Sequence, residues 1–128
     1  MKYLLDSNTI IYYMDGALTP NGFVFVLAAL QNQMCALSVI SKIEVLGFPF
    51  PSTAQMKKAE RLLDSLPIYA ITDQVVEKTI EIRRSQKPKV ADAIIAATAI
   101  LFGLKIISRN EKDFKNLLGL DLINPFDL

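Results

Sequence analysis

The sequence predicts an α/β fold with a mostly parallel central sheet of four to five strands, flanked by helices on both faces in three layers. Short apolar runs alternate with longer amphipathic segments, which is typical of strands and helices taking turns. Helical connections of this length join parallel strands. The chain has 128 residues, of which 52% are hydrophobic and 21% charged, so we expect one domain over residues 1–128.

The first half of the chain is predicted to contain two strands and four helices. The strands are the apolar runs at 2–6 and 34–38. Prolines end the third and the fourth helix, because proline cannot continue a helix. The four predicted helices cover residues 7–15, 22–31, 41–46 and, after a Ser or Thr cap, the stretch up to 66.

The second half repeats the alternation. A strand at 68–71 precedes a helix that is capped at 72 or 73 and runs to 85, and a charged, extended loop follows. The next helix covers 90–102 and ends at a glycine. Strands at 105–108 and 121–123 complete the prediction.

Acidic side chains follow several of these strands. Asp6 ends the first, Glu44 lies one helical turn past the second, and Asn110 and Asp113 lie just past the fourth. Because ligand sites of parallel sheets gather at the carboxyl ends of the strands, these residues should share one edge. The loop after residue 85 is long enough to return to that edge and place Asp92, in the first turn of its helix, beside them.

Taken singly, each acid has a structural explanation, such as a helix cap for Asp6 or a helix-dipole partner for Asp92. Independent caps, however, have no reason to collect at one edge. A set of oxygen ligands favours a hard divalent cation, Mg²⁺ or Mn²⁺, which can activate water against a phosphodiester. Asn8 and Ser38 are expected near the same edge, where they could orient carboxylates or water.

Composition excludes several other classes. The chain has no histidine, which removes Ser/His, Cys/His and His-metal mechanisms. A net charge of +1 provides no general basic field, and the single cysteine, Cys35, suits a reducing cytoplasm. No apolar stretch reaches the roughly 20 residues of a membrane span. A mean hydropathy of +0.32 is high for a small soluble domain and indicates apolar surface covered by a partner.

Four motifs resemble the PIN domain, specifically the toxin subunit of VapBC type II toxin-antitoxin modules. They are LLDSNTIIY at 4–12, LSVISKIEVLG at 37–47, DAIIAATA at 92–99 and ISRNEKDF at 107–114. The resemblance runs nearly the full length of the chain, with the motifs in the family's order. It is specific as a set and weak for any single motif.

The resemblance implies a Mg²⁺-dependent endoribonuclease that forms a homodimer and is inhibited by a cognate antitoxin. It assigns the metal-binding acids to Asp6, Glu44 and Asp92. The sequence has Ser7 where threonine is frequent, and Asn110 where many relatives carry aspartate. The fourth acidic role therefore falls to Asn110 or to Asp113, of which Asp113 carries the charge.

A basic stretch precedes Asp92 and contains no acid between residues 83 and 89. Such a run is usually a solvated loop, but its position next to the acids predicts contact with the phosphates of RNA. The residues predicted to bind RNA are Arg83, Arg84, Lys87, Lys89 and Arg109.

Two alternative functions stay open at this point. An aspartate after a first parallel strand also serves as a phosphoryl-accepting nucleophile on small substrates, although Asn8 replaces the second aspartate of the common phosphatase pattern. The chain could also be a non-catalytic binding module that keeps its acids to hold a cationic partner. Apolar helices around residues 23–27 and 56–66 are the expected partner surfaces.

Overall fold

The computed structural model describes residues 1–114, 116–117 and 119–128. Within these residues, five strands form one sheet in the order β3-β2-β1-β4-β5, and every adjacent pair is parallel. The predicted fold class is confirmed. The strands are β1 Tyr3–Leu5, β2 Cys35–Ser38, β3 Ile68–Tyr69, β4 Lys105–Ile107 and β5 Leu122–Ile123.

The helices follow the predicted order with shifted ends. They are α1 Ser7–Met14, α2 Pro20–Gln31, α3 Val39–Leu46, α4 Thr53–Asp64, α5 Asp73–Gln86, α6 Val90–Phe102 and α7 Glu111–Phe114, with a 3₁₀ turn at Pro125–Asp127. The predicted starts of α2 and α3 were each two residues late. Thr19 and Ser38, the residues just before these helices, accept hydrogen bonds from the backbone and cap them. Helix α7 and the 3₁₀ turn were not predicted from the sequence.

Helices cover both faces of the sheet, as alternation along the strands requires. Leu4 and Ile106 point to one face, where they pack in a core that includes α6. Leu5 and Ile107, their neighbours in sequence, pack in a second core with residues of α2 and α4. In the described part of the chain, no helix is long and apolar enough to traverse a bilayer.

The connection before Asp92 differs from the expected extended loop. α5 continues to Gln86, Lys87 ends it in the left-handed conformation (φ 53°), and α6 begins at Val90. Since β4 starts soon after α6 ends, α6 runs away from the carboxyl edge of the sheet. Asp92, in the first turn of α6, therefore lies at that edge, and residues 87–89 alone connect the two helices, in place of the expected extended segment.

Candidate metal centre

Asp6 lies at the centre of the predicted acidic edge and is buried, with 6% of its surface exposed. It leaves β1 and caps α1, since its Oδ1 accepts the Thr9 N–H at 2.8 Å. Its Oδ2 accepts the hydroxyl of Ser108. Burial raises the pKa of the Asp6 carboxyl, while the hydrogen bonds from Ser108 and Thr9 lower it. The side chain is thus fixed in orientation at both oxygens.

Asp92 is the acid whose surroundings relate it to the three others. Burial, together with the charges of Asp113, Asp6 and Glu44 in that order, raises the pKa of its carboxyl from 3.8 to about 6. Lys89 acts in the opposite direction. Carboxylates from four separate parts of the sequence therefore lie within electrostatic range of one another.

Glu44 is held by a contact across the site. The Ser7 hydroxyl donates to Glu44 Oε1 at 3.0 Å, which ties α3 to the start of α1. The side chain is exposed, although the apolar neighbours of Glu44 had suggested a helix with little free surface. Ile43 is also 61% exposed, so α3 presents more of its surface than expected.

Asn110 and Asp113 act together. The Asn110 amide Nδ2–H donates to Asp113 Oδ2 at 2.9 Å, and the Asn110 side-chain oxygen accepts the Asp113 N–H at 3.4 Å. The backbone N–H of Asn110 donates to Ser108 Oγ at 2.9 Å. Asn110 therefore orients Asp113, which carries the charge that acts on Asp92.

The donor set fits a hard divalent cation in its chemistry, because all four acids offer carboxylate oxygens and two of them have raised pKa values. As placed, no three acidic, histidine or cysteine side chains among the described residues lie close enough together to enclose an ion. The four acids share one electrostatic environment, and the tighter grouping expected from the sequence is not seen.

Asn8, which was predicted to orient the carboxylates or water, lies beside Asp6. It is exposed and lines an open cleft of about 350 Å³ together with Asp6, Tyr12, Arg109 and Asn110. Ser38 is buried and its hydroxyl accepts the Ile40 N–H at 3.2 Å, so the bond recorded for it is a helix cap. Its predicted part in orienting carboxylates finds no support in this contact.

Four of the five predicted basic residues lie at the end of α5 and in the turn that leads to α6. Arg83 donates to the Pro88 carbonyl oxygen, and Lys89 is the cation that acts on Asp92. Arg83, Arg84 and Lys87 line a groove of about 550 Å³, and the apolar side chains of Ile80 and Val90 line it with them. The remaining basic residue, Arg109, lies in the cleft with Asp6.

Ser108 is the main residue of the site that the sequence analysis missed. It is fully buried and links Asp6 to Asn110 by two hydrogen bonds. The sequence did offer a signal for Ser108. It is a hydroxyl residue at the carboxyl end of a central strand, two residues before a polar side chain of the site. Tyr12, on the second turn of α1, was also missed because the apolar run around it indicates core.

The fold and the order of the acids agree with one family. A family model described as the PIN domain matches residues 3–119, and the chain belongs to the PIN domain family. This confirms the resemblance seen in the four motifs.

Solved structures support the same assignment. A toxin-antitoxin complex from Klebsiella pneumoniae contains a chain that is 29% identical, with a TM-score of 0.80 and coverage of 99% of this chain and 100% of that one. VapBC2 from Rickettsia felis bound to a DNA fragment from its promoter is 22% identical, with a TM-score of 0.80 and coverage of 97% and 98%. DNA-bound VapBC from Salmonella typhimurium is 22% identical, with a TM-score of 0.79 and 98% coverage of both chains. No curated protein matches the chain.

Proposed function

We propose that this protein is a Mg²⁺-dependent endoribonuclease that hydrolyses phosphodiester bonds of RNA and acts as the toxin of a toxin-antitoxin pair. The observation that carries the proposal is the convergence of Asp6, Glu44 and Asp113 on Asp92, whose pKa they raise together. Membership of the PIN domain family, whose members are generally nucleases, supports it.

The four acids would hold the ion, and Mn²⁺ could replace Mg²⁺ in an oxygen-only site. When bound, such an ion lowers the pKa of a water molecule and neutralises charge on the phosphodiester. Thr9 and Ser108 fix the carboxylate of Asp6, Ser7 holds Glu44, and Asn110 holds Asp113. These neighbours reduce the cost of ordering the acids around a cation.

The basic residues next to the acids would bind the RNA backbone. Lys89 lies close enough to Asp92 to lower its pKa. The groove lined by Arg83, Arg84 and Lys87 is also lined by Val90, the first residue of the helix that carries Asp92. Cations at this position would contact RNA phosphates beside the acids at which the phosphodiester would be cut. The net charge of only +1 makes such a local patch the main source of attraction.

A protein partner and a homodimer are part of the same proposal. The similar solved structures include a toxin-antitoxin complex and two VapBC complexes, which supports an antitoxin as partner, and we propose that the pair acts in the cytoplasm. Exposed apolar side chains on α2 and α3, with Val24 at 63% and Ile43 at 61%, offer surface for such contacts. Sedimentation should give twice the monomer mass, and the antitoxin should stop cleavage.

Two alternative functions were left open by the sequence. A binding module would differ from the proposed ribonuclease only because it does not cleave RNA. A phosphotransferase that acts on small substrates would require Asp6 as the nucleophile. Both oxygens of Asp6 already accept hydrogen bonds and the side chain is buried, which disfavours nucleophilic attack.

One set of assays separates the three functions. Single-stranded RNA should be cut in Mg²⁺, remain intact in EDTA, and remain intact with Asp6→Asn. Asp64→Asn is the matched control, since Asp64 is the exposed last residue of α4 and precedes the start of β3. Hydrolysis of a small phosphate ester without RNA cleavage would favour the phosphotransferase, and partner binding without any turnover would favour the binding module.

A further inference from the structure

Arg109 has an environment that a simple surface cation would not need. It directly follows Ser108, the residue that donates to Asp6, and it lines the same cleft as Asp6 and Asn8. Its guanidinium carbon lies 4.1 Å from the ring centre of Phe126 and 5.9 Å from that of Tyr12. The two rings meet edge to face, with centroids 5.4 Å apart and planes at 85°.

The aromatic side chains hold the guanidinium but leave its charge available. Among the described residues, Arg109 takes part in no ion pair, since the one recorded there joins Lys78 and Glu81. No hydrogen bond from its side chain is recorded in that part of the chain either, and the residue is exposed. Because Phe126 already covers one face of the guanidinium, the N–H edge is the part left to bind a ligand.

The C-terminal turn that carries Phe126 is fixed in place. The Thr19 hydroxyl donates to the Pro125 carbonyl oxygen at 3.2 Å, and the Asn124 side chain accepts the Phe126 N–H at 2.9 Å. α2 approaches so closely that a Cβ at Gly22 would lie 2.1 Å from the Pro125 carbonyl oxygen. The position of Phe126 is therefore set by the fold, and with it the position of Arg109.

We propose that Tyr12, Arg109 and Phe126 form a second phosphate-binding position on the RNA strand, next to the phosphodiester that is cut. This inference rests on the proposed ribonuclease function and adds a subsite to it. The guanidinium donates its N–H edge to one RNA phosphate, while Tyr12 and Phe126 act as positioning residues. A fixed guanidinium loses less side-chain entropy when it binds than a free one.

Affinity and kinetics test the role of Arg109. A labelled single-stranded RNA is titrated in EDTA to measure Kd, and cleavage in Mg²⁺ gives KM and kcat. Arg109→Gln should raise Kd and KM about tenfold with little change in kcat, and Arg109→Lys should recover only part of the loss. Arg61→Gln, a change of the same charge on the exposed surface of α4, should leave both unchanged. A dinucleotide substrate, which lacks the second phosphate, should show no difference between Arg109→Gln and the unmodified protein.

The aromatic residues are tested through their coupling to Arg109. Phe126→Leu should raise Kd about threefold, and Phe126→Tyr should restore affinity. The double variant Arg109→Gln/Phe126→Leu should bind no more weakly than Arg109→Gln alone, whereas a purely structural role for Phe126 would make the losses add. Melting curves check that each variant is folded.

The outcomes distinguish this inference from the proposed function. If the unmodified protein neither binds nor cuts RNA, the proposed function itself is wrong. If it cuts RNA and Arg109→Gln leaves both Kd and KM unchanged, the second phosphate position is refuted. Weaker inhibition by a partner protein with unchanged RNA affinity would also refute it and would assign Arg109 to that partner.

Discussion

Replacing Asp92 by asparagine should stabilise the metal-free protein at neutral pH, although it removes a proposed metal ligand. The folded protein raises the pKa of Asp92 from 3.8 to about 6. At about 1.4 kcal/mol for each pKa unit, a fully buried carboxylate would destabilise the fold by about 3 kcal/mol when ionised. Partial exposure reduces this to roughly 1–2 kcal/mol through solvent screening. Loss of the favourable helix-dipole contact offsets about 0.5 kcal/mol, which leaves a net gain of about 1 kcal/mol.

The gain should depend on pH with a defined sign. Below about pH 4 the carboxyl is protonated in both the folded and the unfolded chain, so the variant gains little. Between about pH 4 and 6 the unfolded chain loses the proton first, and the unmodified protein loses stability as the pH rises. Above about pH 6 the loss is complete. Asparagine does not titrate, so the variant does not lose this stability as the pH rises.

Urea or thermal denaturation in EDTA measures the effect. At about pH 7.5 the melting temperature of Asp92→Asn should exceed that of the unmodified protein by about 4 °C, and the difference should shrink towards zero at about pH 4. Adding Mg²⁺ should raise the melting temperature of the unmodified protein more than that of the variant. Asp64→Asn serves as the exposed control. A difference that is constant over this pH range, or a less stable variant at pH 7.5, would refute the reasoning.

Three further changes probe other parts of the molecule. Ser108→Ala removes a buried hydroxyl that donates to Asp6, so the free energy of unfolding should fall by about 1–3 kcal/mol in a denaturation curve. RNA cleavage by this variant should also drop sharply. Equal stability of the variant and the unmodified protein would contradict the assigned contact. Charge reversal of Arg84 and Lys87 should weaken RNA binding more at low salt than at high salt in a titration, and unchanged binding would remove these residues from the RNA surface. Gly22→Ala forces a Cβ against the C-terminal turn at 2.1 Å, so its melting temperature should fall by several degrees (about 1–3 kcal/mol), and an unchanged value would show that the turn moves freely.

Strands, helix α6 and the shared edge of the acids could be predicted because they follow from local pattern and from the geometry of parallel sheets. Asp6 and Asp92 were found on the sequence because each interrupts or begins an apolar element. The path to Asp92 was predicted wrongly, since the sequence does not show that α5 continues to Gln86 and ends at Lys87 in a left-handed conformation. An extended loop and a tight turn of charged residues have similar composition.

Contacts between distant segments could not be predicted. Ser108 donates to a residue 102 positions away, and Phe126 meets Arg109 only because the C-terminal turn packs on α2. Neither contact leaves a periodic signal in the sequence. The short helix α7 was missed for a related reason: its four residues are too few to show a helical pattern, and Asn110 defines it through a cap.

The most direct measurement is an anomalous difference map from crystals soaked in Mn²⁺. A cation shared by the four acids should give a peak within about 2.2 Å of carboxylate oxygens from Asp6 and Asp92, and the peak should vanish in the Asp6→Asn variant. The account would be contradicted if the protein cleaved RNA strongly in Mn²⁺ while the map showed no ion between these two side chains.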